Sequence, residues 1–292
     1  MNTPTRPVMR WHGGKWKLAP WIISHFPPHR IYVEPFGGAA SVLMRKPRCY
    51  AEVYNDLDGD AVNIFRVLRD EVSSKKLIDQ VRLTPFSRDE FELAYAYADC
   101  PVEAARRLLI LCFMGYGSNG HNRSIRTGFR ANSNRSGSTP AHDWANYPDC
   151  MTAIIDRLRG VIIENRDALE VMAQHDDVDT LHYVDPPYVF ETRTSMAARG
   201  RAYKHELNDD GHARLLKYLG TLKGMVVLSG YPHPSYDAAL PGWLRVECKA
   251  LADGARERTE ALWINRAGAE AARRGCAPGL NLFSACGVSH ET

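Results

Sequence analysis

A chain of 292 residues, 45% hydrophobic and 24% charged, can build one large domain or one domain with a sizeable insertion, and a net charge of only +3 singles out no partner. Its longest apolar runs, RLLILCFM (107–114) and GMVVLSGY (224–231), are too short to span a bilayer, and seven scattered cysteines with no C-x-x-C pair exclude a disulfide framework and argue against a zinc site. The opening stretch MNTPTRPVMRWHGGK has no apolar signal region, so a cytoplasmic protein without membrane or metal is expected.

In chain order, RWHGGKWKLAPWI (10–22) runs two glycines into a helical pattern over 15–26, with Leu18, Ile22 and Phe26 on one face. A helix start favours an anion such as a carboxylate, while Trp11 reads equally well as packing. The strand IYVEP (31–35) continues through YVEPFGGAASVL (32–43) into another helix. Gly37 and Gly38 permit a sharp turn and a close ligand, although the pattern is not G-x-G-x-x-G and a tight βα turn alone would also explain it. The next strand, CYAEVYND (49–56), ends on Asp56, placed as an acid that bonds a ribose hydroxyl in open α/β sheets. Asp58 suits the cap of a helix over 57–70, whose Ala61, Ile64, Phe65 and Leu68 share a face.

Regular alternation then breaks, and 71–149 reads as an inserted, mainly helical and loop module. Between Glu103 and Asp143 there is no acid, while Arg106, Arg107, Arg123, Arg126, Arg130 and Arg135 fall in that window, a footprint for a polyanion. The stretch 115–148 is too long for a simple connection, and Tyr116, Phe129, Trp144 and Tyr147 interleave with its arginines as nucleic-acid binding would favour. Further strands are expected at 160–165, 181–185, 225–230, 244–249 and 260–265, which with the first two predicts a largely parallel sheet covered by helices. The segment 266–292 lacks periodicity and reads as a tail.

One strand ends unusually. YVDPPYVF (183–190) closes on an acid, two prolines that cannot continue a ladder, and an aromatic. RWHGGK, EPFGGAAS, the ND after the second strand and DPPY, in that order, resemble the Dam-type (D12 class) DNA adenine N6-methyltransferases; RTEALWIN (258–265) resembles their last strand region. The resemblance runs from about Arg10 to Asn265, with Ala40 standing where a second loop glycine is usual.

That resemblance implies a seven-stranded, mostly parallel, Rossmann-like sheet dependent on S-adenosylmethionine, with catalytic parts at 1–70 and 150–265 and a target-recognition insertion at 71–149. It implies cofactor contacts at Trp11, Lys15, Asp56 and Asp185, and a cofactor loop holding Glu34, Phe36 and Gly38. The chemistry expected at Asp185, Pro186, Pro187 and Tyr188 follows from the substrate. The adenine amino nitrogen is a poor nucleophile, because its lone pair is delocalised into the ring. Hydrogen-bond acceptors at Asp185 and the Pro186 carbonyl localise that pair, and Tyr188 offers a face to a base flipped out of duplex DNA; Phe190 reads equally as a second wall or as core. Arg123, Arg126, Arg130 and Arg135, with Arg193, Arg199 and Arg201 of the loop after DPPY, are the expected DNA contacts. Cytosine N4 methylation is the nearest rival, and a catalytically silent DNA-binding protein another. GLNLF (279–283) weakly resembles sliding-clamp-binding peptides, with Gly279 where Gln is preferred.

Overall fold

A computed structural model describes residues 3–132, 137–193, 202–251 and 257–275. All seven expected strands are present, their ends shifted by no more than three residues: β1 Ile31–Glu34, β2 Ala51–Asn55, β3 Val161–Glu164, β4 Thr180–Val184, β5 Met225–Gly230, β6 Leu244–Leu251 and β7 Glu257–Ile264. They form one sheet in the order β3-β2-β1-β4-β5-β7-β6. β1 to β5 pair in parallel, and β7 runs antiparallel to both its neighbours. Every residue of β4 and β5 is buried, so both read as continuous apolar runs rather than as alternations. β1 lies between β2 and β4, so the chain leaves it first to one side and later to the other. Ligands of open α/β sheets sit outside the carboxyl ends of the strands at such a switch point.

The helices around this sheet follow their local chemistry. The pattern over 15–26 narrows to α1 (Ala19–Ser24), with Pro20 in its first turn. α2 (Ser41–Arg45) follows Ala40, which holds a left-handed backbone at φ 52°. α3 (Gly59–Arg69) is capped by Asp58, whose carboxylate accepts from the Asp60 amide at 3.0 Å. A buried ion cluster joins α2, β2 and the later α8 (Tyr147–Leu158): Glu52 receives Lys46 Nζ at 2.7 Å and the Arg157 guanidinium at 2.6 and 2.9 Å.

Residues 71–149, expected as an insertion, hold α4 (Glu71–Leu83), α5 (Arg88–Leu93), α6 (Pro101–Met114) and α7 (Pro140–Ala145), and α8 crosses their expected end. Their apolar residues Leu77, Val81, Phe91 and Leu108–Met114 join the buried cluster that contains Tyr32, Tyr54 and Phe65 of the sheet and α3. The aromatic reading of 115–148 needs correction. Thr139 caps α7 with Pro140 at its start, α8 begins at Tyr147, and the connection between regular elements shortens to 115–139. Trp144 and Tyr147 are core residues, and Phe129 packs on Phe86 and Phe91; Tyr116 is the exposed member of the four.

Among the described residues the remaining α-helices are α9 (Ala168–Gln174), α10 (Asp209–Leu219), α11 (Pro234–Ala239) and α12 (Arg266–Gly275). α12 corrects the expectation of an irregular tail from 266. Asn265 caps it through the Gly268 amide at 2.9 Å and also bonds the Val226 amide and Gly224 carbonyl of the β5 region. GLNLF lies outside the described residues. Among those residues, no helix is long and apolar enough to cross a membrane.

Candidate active site

A cleft opens where β1 and β4 end. Trp11, Lys15, Glu34, Phe36, Gly38, Asp56 and Asp185, the seven positions expected to face the cofactor, all line it. The β1 loop is held tightly from both sides. A side chain at Gly37 would meet the Tyr54 ring at 2.2 Å, and one at Gly38, where φ is 48°, would meet the Trp11 indole at 2.6 Å. The Tyr54 hydroxyl donates to the Gly38 carbonyl at 2.8 Å, and the Gly38 amide donates to Asp56 Oδ2 at 2.7 Å. The other Asp56 oxygen accepts from the Asp58 amide at 2.8 Å. Burial raises the Asp56 pKa to about 6 against these two amides. Glu34 turns inward, where one oxygen accepts from the Tyr32 hydroxyl at 2.7 Å and from the Leu43 amide at 3.0 Å. Burial pushes its carboxyl up to about 8.

Asp185 follows β4 directly, and the two prolines end the strand there. Its Oδ1 accepts from the Ser229 hydroxyl at 2.5 Å, and its Oδ2 pairs with Lys15 Nζ at 3.0 Å. Lys15 also donates to the Gly13 carbonyl at 2.7 Å. Burial alone would lower the Lys15 pKa, but Asp185, then Glu260 and Tyr203, raise it further, so the ammonium stays charged. Both carboxylate oxygens are thus fixed by donors from other parts of the chain, and each retains acceptor capacity. Tyr188 stands beside this group. Its ring centroid lies 4.6 Å from Lys15 Nζ and 4.7 Å from that of Tyr231 in a T-shaped pair, and its hydroxyl donates to Glu260 Oε2 at 2.8 Å.

The sequence reading missed Ser229 and Glu260, and also residues 166–169, at the turn into α9 and its start, which line the cleft. A charged residue on the apolar strand EALWI was a usable signal for Glu260. Ser229, inside a buried run, offered none.

The expected DNA contacts divide. Arg126 is exposed, pairs with Glu92 at 3.1 Å and lies over the Tyr95 ring. Arg123 instead donates to the Ala94 and Ala96 carbonyls at 2.6 and 3.2 Å, and Arg130 to the Phe113 carbonyl at 3.3 Å. Arg193 is 4% exposed; it pairs with Glu206 at 2.9 Å and donates to the Tyr188 carbonyl at 2.7 Å, bracing the loop after DPPY from within. Arg135, Arg199 and Arg201 lie outside the described residues. Among the described residues, no group of three or more His, Cys, Asp or Glu could hold a metal.

A parallel sheet with one reversed strand beside its edge, and a carboxylate poised at the end of β4, define a Rossmann-like methyltransferase. The chain belongs to the D12 class N6 adenine-specific DNA methyltransferases, whose family model matches residues 11–231. It is similar to the type II methyltransferase M.MjaIII of Methanocaldococcus jannaschii, 23% identical over 73% of this chain and 78% of that one. It is also similar to the DNA adenine methylase of Haemophilus influenzae, 25% identical over 63% of this chain and 64% of that one.

Proposed function

We propose that the protein transfers a methyl group from S-adenosylmethionine to N6 of an adenine flipped out of duplex DNA. The observation that carries this reading is the Asp185 carboxylate, held by Lys15 and Ser229 between the cofactor cleft and the Tyr188 ring. The cleft fits the cofactor chemically. Asp56 is an acid for ribose hydroxyls, Lys15 and Asp185 offer opposite charges to a zwitterionic end, and Phe36 and Leu169 are apolar walls. Trp11, Glu34 and Gly38 shape the loop that closes it. When bound, the cofactor supplies an electrophilic methyl on sulfur.

The protein's own work is then to place and polarise the amine. Asp185 accepts a hydrogen bond from the amino group, the Pro186 carbonyl accepts a second, and the nitrogen lone pair is drawn out of the ring toward the methyl. Pro187 rigidifies this turn, and Tyr188 stacks on the base. Positive charge that develops on N6 meets the Asp185 carboxylate, which needs no reorganisation because two donors already hold it. Arg126 contacts phosphate, with Arg135, Arg199 and Arg201 as further contacts.

Incubation with DNA and a labelled methyl donor, followed by nucleoside analysis, tests the reading. N6-methyladenine is expected. N4-methylcytosine would move the same acceptor pair to the other exocyclic amine, and DNA binding without transfer would leave a silent binding protein.

A further inference from the structure

We propose that Glu260 is a positioning residue for the target base, acting through Tyr188. The inference rests on the adenine-methylation reading of this same site. On β7, Glu260 shares a strand face with Leu262 and Ile264, both buried in the main core. β5 pairs with β7 only from Ala261 onward, so Glu260 is the first β7 residue beyond that pairing, at the carboxyl end of β5. A carboxylate there is costly to desolvate unless it meets donors. It meets two groups of the site: the Tyr188 hydroxyl at 2.8 Å, and the field of the Lys15 ammonium.

The consequence concerns ring orientation. A tyrosine ring that stacks on a flipped base must hold its plane, and rotation about its side-chain bonds is opposed here at three points. Glu260 fixes the hydroxyl end and so the direction of the ring, while Tyr231, its plane 76° from that of Tyr188, and Lys15, which sits over the ring and pairs with Asp185, oppose rotation of the plane. Arg258, two residues before Glu260 on β7, lies over the Tyr231 ring at 5.1 Å, so this strand supports both aromatics. Glu260 thereby links the stacking ring to the acceptor carboxylate through one ammonium, without touching the amine that reacts.

The test uses the full-length protein and a duplex carrying its methylated site, identified by sequencing methylated bases in DNA from an expressing host. Wild-type N6-methyladenine formation is established first; its failure would overturn the functional reading itself. The variants are then Glu260→Ala, Glu260→Gln, Tyr188→Phe and the double variant Tyr188→Phe/Glu260→Ala. Single-turnover transfer, DNA affinity, and the fluorescence of 2-aminopurine at the target position are measured for each. Misplacement of reacting groups by about 1 Å can cost on the order of 10²-fold. Glu260→Ala is expected to lower transfer by about 10–100-fold, with DNA affinity changed less than about threefold and the 2-aminopurine signal altered. Glu260→Gln, whose carbonyl still accepts from the hydroxyl, is expected to recover most of the loss. The double variant should be no slower than the worse single one. Wild-type transfer by Glu260→Ala would overturn the proposal, as would additive losses in the double variant. So would a loss that Gln does not rescue in protein of normal thermal stability. If Glu260→Ala does not fold, the decision passes to Tyr188→Phe, for which full transfer with an unchanged 2-aminopurine signal would overturn the proposal.

Discussion

Single side chains in this cleft carry two kinds of tension, one chemical and one electrostatic. Asp185 is held by donors on both oxygens, so its removal deletes a prepared acceptor rather than a surface charge. Preorganised partners of this type are typically worth on the order of 10²–10³ in rate. Asp185→Ala should therefore lose single-turnover transfer by at least that factor, while titrations show retained DNA binding. Equal losses in both would remove the catalytic assignment. Glu34 carries the electrostatic tension. Its carboxyl is pushed from 4.5 to about 8, mainly by burial and then by the nearby Asp185 charge, against the Tyr32 hydroxyl and Leu43 amide. The folded chain keeps a proton that the unfolded chain releases, so the stability from neutral Glu34 is full below about pH 4.5 and is lost as pH rises through about 8. Asp56 contributes in the same direction only up to about 6. His182 and His212, lowered to about 4 by burial, act in the opposite direction as their unfolded imidazoles titrate near 6.5. The Glu34 contribution is therefore read as the difference between wild type and Glu34→Gln in urea unfolding between about pH 6 and 8. That difference should fall by up to about 1.4 kcal/mol per pH unit across the window; a difference independent of pH would remove the assignment.

Between Arg123 and Arg130, the charges that suggest a DNA surface also hold neighbouring elements together. Arg123 satisfies the carbonyls that end α5, whereas Arg126 is mostly exposed. Arg126→Gln should reduce the log–log salt slope of DNA binding by about 0.9, the share of one phosphate contact. Arg123→Gln should instead lower the unfolding midpoint, and a normal midpoint with a flattened slope would reverse that assignment. Beneath them, Glu52 joins α2, β2 and α8 through two cations, all three side chains nearly inaccessible. Burial pushes its carboxyl up, yet Arg157 and Lys46 together hold it below the usual range. Glu52→Ala should cost about 3–5 kcal/mol in denaturant unfolding, since it strands two buried cations. The elements differ in how legible they were. Strands rich in β-formers, and motifs whose prolines and glycines dictate backbone, stood out in the sequence, so all seven strands were found and the seven positions expected at the cofactor all line the cleft. The aromatics Trp144 and Tyr147 were misread because a Pro-started helix following polar loop residues looks like more loop. Arg123 and Arg193 carry the same charge whether they face phosphate or a backbone carbonyl, and only tertiary packing decides between those roles.

The whole molecule assembles its site from positions that are remote along the chain. Lys15 comes from the start, Asp185 and Ser229 from beyond the insertion, and Glu260 from the last strand. Pairings of such long sequence separation form late and slowly in folding, because loop closure precedes any reward. Biosynthesis makes this a matter of timing. At roughly 5–20 residues per second, about 12–50 s separate the ribosomal appearance of Lys15 from that of Glu260. The lysine waits first for Asp185 and then for Glu260, and a nascent chain with its cofactor loop and DPPY turn complete still lacks β7. The Tyr188 hydroxyl thus finds its Glu260 acceptor only when the final strand arrives.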